Sequence, residues 1–211
     1  MRLFKNGTIA SEETPELQKA DILVDDEGVI HQIAETIEAV DGSTTVDCDG
    51  CVIVPGMFDL NVHAREPGFE HKETLSSCGE AAIHGGVTGL VLMPDTAPPV
   101  DSGNLVKSLQ DLVSEVSRIP MHTSGCLTKK REGKELAGFS GMASRGVTML
   151  TDADHEVPCP DLLRRCMEYA KDFDLLVTTH GDTPALTKAG AINEGHAVSY
   201  THLTLPTSPK V

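Results

Sequence analysis

Tryptophan is absent from this 211-residue chain, and aromatic residues of all kinds make up only 3% of it. A core so poor in large rings has to be assembled mainly from Val, Leu, Ile, Ala and Met, within a hydrophobic share of 39% that is ordinary for a soluble domain. Positive charge is also scarce. Lys and Arg number 17 against 32 Asp and Glu, a formal net charge of -15. Such a surface repels phosphate backbones and anionic bilayers, which argues against nucleic-acid and membrane partners. Long apolar runs are missing too: MRLFKNGTIASEETPELQ holds no stretch fit for a signal peptide, and no later window approaches a membrane span. A cytoplasmic location is the expectation. Six cysteines without a secretory signal read as reduced thiols rather than a disulfide framework. Cys48 and Cys51 form one C-x-x-C with no second pair and no helix after it, so two unrelated thiols are preferred to a zinc or redox site.

What is present changes rhythm near residue 54. Before it, RLFKNGTIA, ADILVDDEGVIHQIA and TTVDCDGCVIVPG alternate apolar and polar residues around Asn6-Gly7 and Glu27-Gly28, a pattern of hairpins in a small β-rich domain over residues 1–54. From Val52 onward, apolar runs (VIVPGMFDL, VTGLVLMP, IPMHTSGCL, VTMLTD, DLLVTTH) alternate with amphipathic segments. The clearest helices are NLVKSLQDLVSEVSRI, behind Asp101 and Ser102 as caps, and PDLLRRCMEYAKDF, with Pro160 at its start. Strands buried on both faces and alternating with helices make a parallel α/β sheet. Five strands and four helices fit either a complete open sheet or the first part of a barrel, since eight β/α units need about 250 residues. The closing run SYTHLTLPTSPKV lacks this periodicity. Residues 200–211 are expected to be a foreign tail resembling translated sequencing adapter, with a natural disordered tail as the alternative, and the gene product is expected to be truncated.

In parallel α/β sheets, active sites gather at the carboxyl ends of the strands. The first strand here ends in Asn61, His63 and Arg65, the second in Asp95, the fourth in Asp152 and the fifth in His180. Each alone has a structural explanation, as a hydrogen-bonded histidine or a helix cap. Together, imidazoles and a carboxylate converging from different strands are the ligand set of zinc, which lowers the pKa of bound water to about 7. His31, His84, His122, His155 and His196 are expected in surface or packing roles, and His71 in FEHKET is not expected at the site.

The run VIVPGMFDLNVHAREPGFEHKET, followed by VLMPDT, MLTDADHEV, TTHGDTPAL and INEG, resembles the class I dihydroorotases of the amidohydrolase superfamily. The resemblance covers Met1 to about Ser199. It implies a β-rich accessory domain ahead of the first half of a (β/α)8 TIM-like barrel over residues 55–199. It also implies hydrolysis of the cyclic amide of dihydroorotate to carbamoyl aspartate, a step of pyrimidine synthesis. By resemblance His63, Asp152 and His180 are zinc ligands, Arg65 binds the substrate carboxylate, and Asp95 occupies a substrate-binding position. An aspartate in LTDAD, where dihydropyrimidinases and allantoinases carry a carbamylated lysine, favours the dihydroorotase branch.

Several positions depart from the family pattern. Asn61 replaces the first histidine of H-x-H, and an amide oxygen is a poor zinc ligand. Asp95 replaces an asparagine, so an anionic substrate would meet like charge there. Gly181 and Asp182 replace Cys-Glu, and the family's later histidine ligand and catalytic aspartate are not in this chain. The chain alone is therefore expected to be inactive and aggregation-prone. The alternative function is a non-catalytic partner of aspartate transcarbamoylase.

Overall fold

The computed structural model describes residues 1–10 and 16–181. The chain divides into two units, Met1–Met57 and the segment from Phe58 on. The expected tail at 200–211, together with Asp182 and His196, lies outside the described residues.

The first unit is one sheet. Strands β1 (Arg2–Ile9), β2 (Gln18–Val24), β3 (Ile30–Ala34) and β4 (Thr44–Asp47) lie in the order β3-β2-β1-β4, and β5 (Val52–Ile53) also pairs with β1. The β1–β2 and β2–β3 pairs are antiparallel, whereas β4 and β5 run parallel to β1. Glu27-Gly28 makes the expected turn between β2 and β3: Gly28 adopts φ 85°, and the Asp25 carboxylate accepts from the amides of Glu27 and Val29. Asn6-Gly7 does not. Strand β1 passes straight through it with a register shift between Phe4 and Gly7, and Asn6 takes φ 64°. The pair is a bulge, because the Asn6 amide is captured by the buried Asp21 carboxylate at 2.8 Å. That carboxylate also accepts from the Ile37 amide at 2.9 Å, and the two bonds bring the segment after β3 back over Leu3 and Leu23.

The second unit alternates strands and helices: β6 (Met57–Val62), α1 (Leu75–His84), β7 (Val87–Leu92), α2 (Gly103–Val116), β8 (Met121–Thr123), α3 (Phe139–Ala143), β9 (Met149–Leu150), α4 (Pro160–Lys171) and β10 (Leu176–Val177). Among the described residues of this unit, five strands and four α-helices match the periodicity of the sequence. Strands β6, β7 and β8 are neighbours in that order; β7–β8 and β9–β10 are parallel, and a parallel bridge from Gly125 to Leu150 links the two sets. Hydrogen bonds cross the row at one level. Met93 N donates to Val62 O, Ser124 N to Leu92 O, Thr151 N to Gly125 O, and Thr178 N to Leu150 O. The residues just past these bonds emerge together at the carboxyl ends.

Strand β7 explains why the apolar runs are continuous. Leu90 and Leu92 pack into the helix-side core with Val106, Leu109 and Phe139, while Val91 and Met93 pack with Met149 on the other face. Strand β6 is different: Phe58 and Leu60 are more than half exposed. Thr74 caps α1 through a reciprocal box with Ser77. Ser102 stands at the N-cap of α2 without a side-chain cap bond, and Pro160 opens α4 as expected. All six cysteines are free thiols.

Candidate active site

At the carboxyl ends of β6, β9 and β10 lies an open cleft of about 430 Å³ whose lining includes Asn61, His63, Thr151, Asp154 and His180. Two of the expected imidazoles therefore share one cavity, whose lining also includes Asn61. Its walls are otherwise largely apolar, with Leu60, Met93, Met149 and Leu176 contributing.

His63 is held by its neighbour. Its Nδ1 lies 2.7 Å from Asp95 Oδ2, and Arg65 Nη1 stands 3.7 Å from the same oxygen. Asp95 is only 3% exposed and is not part of the cleft lining, so it contacts His63 and Arg65 rather than facing the cavity. Its Oδ1 is buried without a hydrogen-bond partner among the described residues. Arg65 itself adopts φ 62°, and its carbonyl accepts from the Phe69 amide to fold the loop back.

Asp152 does not join His63 and His180 at the cleft. Its Oδ1 accepts from the backbone amides of Leu127 at 2.9 Å and Thr128 at 3.0 Å, and its Oδ2 accepts from the Thr128 hydroxyl. Three donors from the loop after β8 absorb the carboxylate, because that loop has buried amides which no strand or helix satisfies. Burial pushes the Asp152 carboxyl above the ordinary carboxylate range, against the opposing pull of the Thr128 and Leu127 donors. The residues of that strand end which do line the cleft are Thr151, Ala153 and Asp154.

Sequence reasoning missed two other participants. Arg131 donates through Nε to the Asp152 carbonyl at 3.0 Å and forms an ion pair with Asp154, which clamps the β8 and β9 loops together. Its carbonyl in turn lies 3.0 Å from His155 Nδ1. In the sequence TKKREGKEL reads only as a charged run, and nothing in it signals that Lys130 and Arg131 adopt φ values of 55° and 60°. His122 lies on β8 with its ring 5.7 Å from Phe58, and His71 packs edge-on to Phe69, so neither belongs to the cleft.

The zinc implied by the resemblance can be tested against these donors. Among the described residues no group of three or more His, Cys, Asp or Glu side chains is placed to hold a metal ion. His63 and His180 supply two imidazoles, Asn61 offers an amide, and Asp152 is committed elsewhere. This set does not fit a zinc site, which needs four donors, three of them from protein even in catalytic centres.

Parallel β/α repeats with a cleft at their strand ends, in a chain that also has a separate β-sheet unit, make this a partial α/β fragment of the fold of the TIM-barrel amidohydrolases. An L-hydantoinase (dihydropyrimidinase) from Arthrobacter aurescens superposes with a TM-score of 0.74 over 89% of this chain and 42% of its own, at 19% identity. A dihydroorotase structure gives 0.61 over 87% and 51%, at 15% identity. Residues 50–207 match the family described as Dihydro-orotase-like, and the chain belongs to that family. It is similar to the dihydroorotase of Carboxydothermus hydrogenoformans, 38% identical over 92% of this chain and 44% of that protein. The dihydroorotase of Caldicellulosiruptor saccharolyticus is 35% identical over 96% and 47%. The chain thus spans somewhat less than half the length of these relatives. No helix among the described residues is long and apolar enough to cross a membrane.

Proposed function

We propose that this chain is the amino-terminal part of a hydrolase that opens a cyclic amide of the dihydroorotate type to its carbamoyl acid and runs the reverse ring closure. The observation carrying this reading is the cleft shared by His63 and His180 at the strand ends of a chain 38% identical to a dihydroorotase. Two imidazoles lining one cavity, with an arginine on the first strand's loop, suit a flat ring bearing a carboxylate. A guanidinium offers the planar fork that such a group takes up. An imidazole with a free nitrogen is suited to moving the proton that ring opening delivers to the amide nitrogen. Zinc is the cofactor that the family implies, and its ligands would have to include groups beyond those described. The test is the loss of dihydroorotate's ring-amide absorbance with the protein at the length of its relatives. Turnover is expected there and none with the 211-residue chain alone. Failure of the longer protein on dihydroorotate, with turnover of a hydantoin, would overturn the substrate assignment.

A second reading, a non-catalytic partner of aspartate transcarbamoylase, draws support from the poor donor set around Asn61 and the diversion of Asp152 into the β8 loop. It predicts co-purification with that enzyme and no ring opening at any length.

A further inference from the structure

We propose that Asp95 is a positioning residue: by accepting from Nδ1 it fixes His63 in the Nδ1-protonated tautomer and leaves Nε2, with its lone pair, for whatever the cleft binds. This deepens the cyclic-amide reading and rests on it only for the use to which Nε2 is put. In the proposed arrangement the Asp95 Oδ2 accepts and the ring nitrogen 2.7 Å away is the donor. A charge-assisted bond of that length is stronger than a neutral one. Water does not compete for it, since Asp95 is 3% exposed and its second oxygen has no partner among the described residues. Arg65 Nη1, at 3.7 Å from the same oxygen, is too far for a hydrogen bond and contributes charge alone.

The surrounding backbone keeps the two side chains in register. Just past Asp95, the Ala97 amide donates to the Pro67 carbonyl at 2.8 Å, tying the β7 loop to the β6 loop that follows His63. The contact is close because Gly68 adopts φ 105° and has no Cβ; one there would stand 2.4 Å from Ala97 Cβ. The Thr96 hydroxyl bonds to the Pro98 carbonyl at 2.7 Å and fixes the turn on the other side. A carboxylate set on a rigid turn orients an imidazole in the manner of second ligands that hold a histidine for catalysis or coordination. Asp95 thereby serves the site through His63 and does not need to touch a substrate.

The experiment is a long-range proton–nitrogen correlation spectrum of the 211-residue chain labelled at histidine, at a pH where all nine histidines are neutral. His63→Ala identifies the signal. Position-specific protonation is expected at Nδ1 in the parent chain, and Asp95→Ala should reverse the ratio of the two tautomers. Asp95→Asn, whose amide can still accept but can also donate, should give an intermediate ratio, and it decides the matter if the alanine variant loses its circular dichroism spectrum. An Nε2-protonated His63 in the parent, or a ratio that no Asp95 substitution moves, would overturn the proposal. Because no substrate is involved, that outcome is separable from a failure to hydrolyse dihydroorotate.

Discussion

Removing the Asp152 carboxylate should destabilise the chain whether or not metal is present. Asp152→Ala strands the amides of Leu127 and Thr128, both buried and both bonded to Oδ1, and leaves the Thr128 hydroxyl without its acceptor. Each buried backbone donor left unsatisfied costs about 1–3 kcal/mol, so the variant should lose about 2–6 kcal/mol, against about 5–15 kcal/mol for a typical domain. Asp152→Asn keeps an oxygen in the Oδ1 position and should lose only about 1 kcal/mol. Asp154→Ala, by contrast, removes an exposed partner of Arg131 and should cost less than about 1 kcal/mol. The assay is urea unfolding of the three variants and the parent in chelator. A role confined to metal binding predicts the reverse pattern, with alanine and asparagine variants alike indistinguishable from the parent under those conditions. An Asp152→Ala shift below about 0.5 kcal/mol, the range of a neutral surface change, would refute the structural role.

Two further outcomes concern the scaffold. Hydrogen bonds from the Ile37 and Asn6 amides hold the Asp21 carboxyl below its ordinary pKa. A depressed folded-state value adds stability that is complete above the unfolded value of about 3.9. It is lost as pH falls through the folded value. Amide protection factors at β1 and β2, taken relative to the intrinsic exchange rate at each pH, should therefore fall below about pH 4 in the parent, and Asp21→Asn should flatten that acid dependence. Gly103→Ala should destabilise by about 1–3 kcal/mol despite alanine's better helix propensity. The new Cβ would lie 2.4 Å from the Gly141 carbonyl oxygen, a backbone atom of α3 that cannot swing aside; thermal melting checks this.

The strand and helix succession was legible because burial imposes it. Leu90 through Leu92 are apolar without alternation since both faces of β7 are covered, and the α2 and α4 stripes recur at helical spacing because one face of each packs on the core. Asn6-Gly7 was misleading for a tertiary reason: the same dipeptide serves a turn or a bulge, and the deciding partner, Asp21, lies 15 residues away. At the site, the strand-end rule located His63 and His180 in one cavity. It did not distinguish Asp152 from its neighbours, since which side chain at a strand end faces the cleft depends on φ at Ala153, here 53°, and on which amides of another loop need an acceptor. The Asp95–His63 bond was equally out of reach, as it joins residues 32 apart through loop geometry alone.

These placements bear on what Asn61 means. His63, Arg65 and Asp95 form a set whose charges nearly balance without a dication, and the imidazole already has its orienting carboxylate. Among the described residues the cleft has no third His, Cys, Asp or Glu side chain placed to hold a metal with His63 and His180, and the Asp154 carboxylate that also lines it is paired with Arg131. Asn61 lines the same cavity, two residues before His63, so Asn61→His would supply that third donor and bring the set to three imidazoles, the protein complement of an open zinc site. Metal analysis of the purified 211-residue chain should find zinc well below one equivalent in the parent and a several-fold rise in the Asn61→His variant. That rise should disappear when His180→Ala is added. Stoichiometric zinc in the parent would mean that an amide oxygen and two imidazoles suffice here, and that Asn61 is a ligand in its own right.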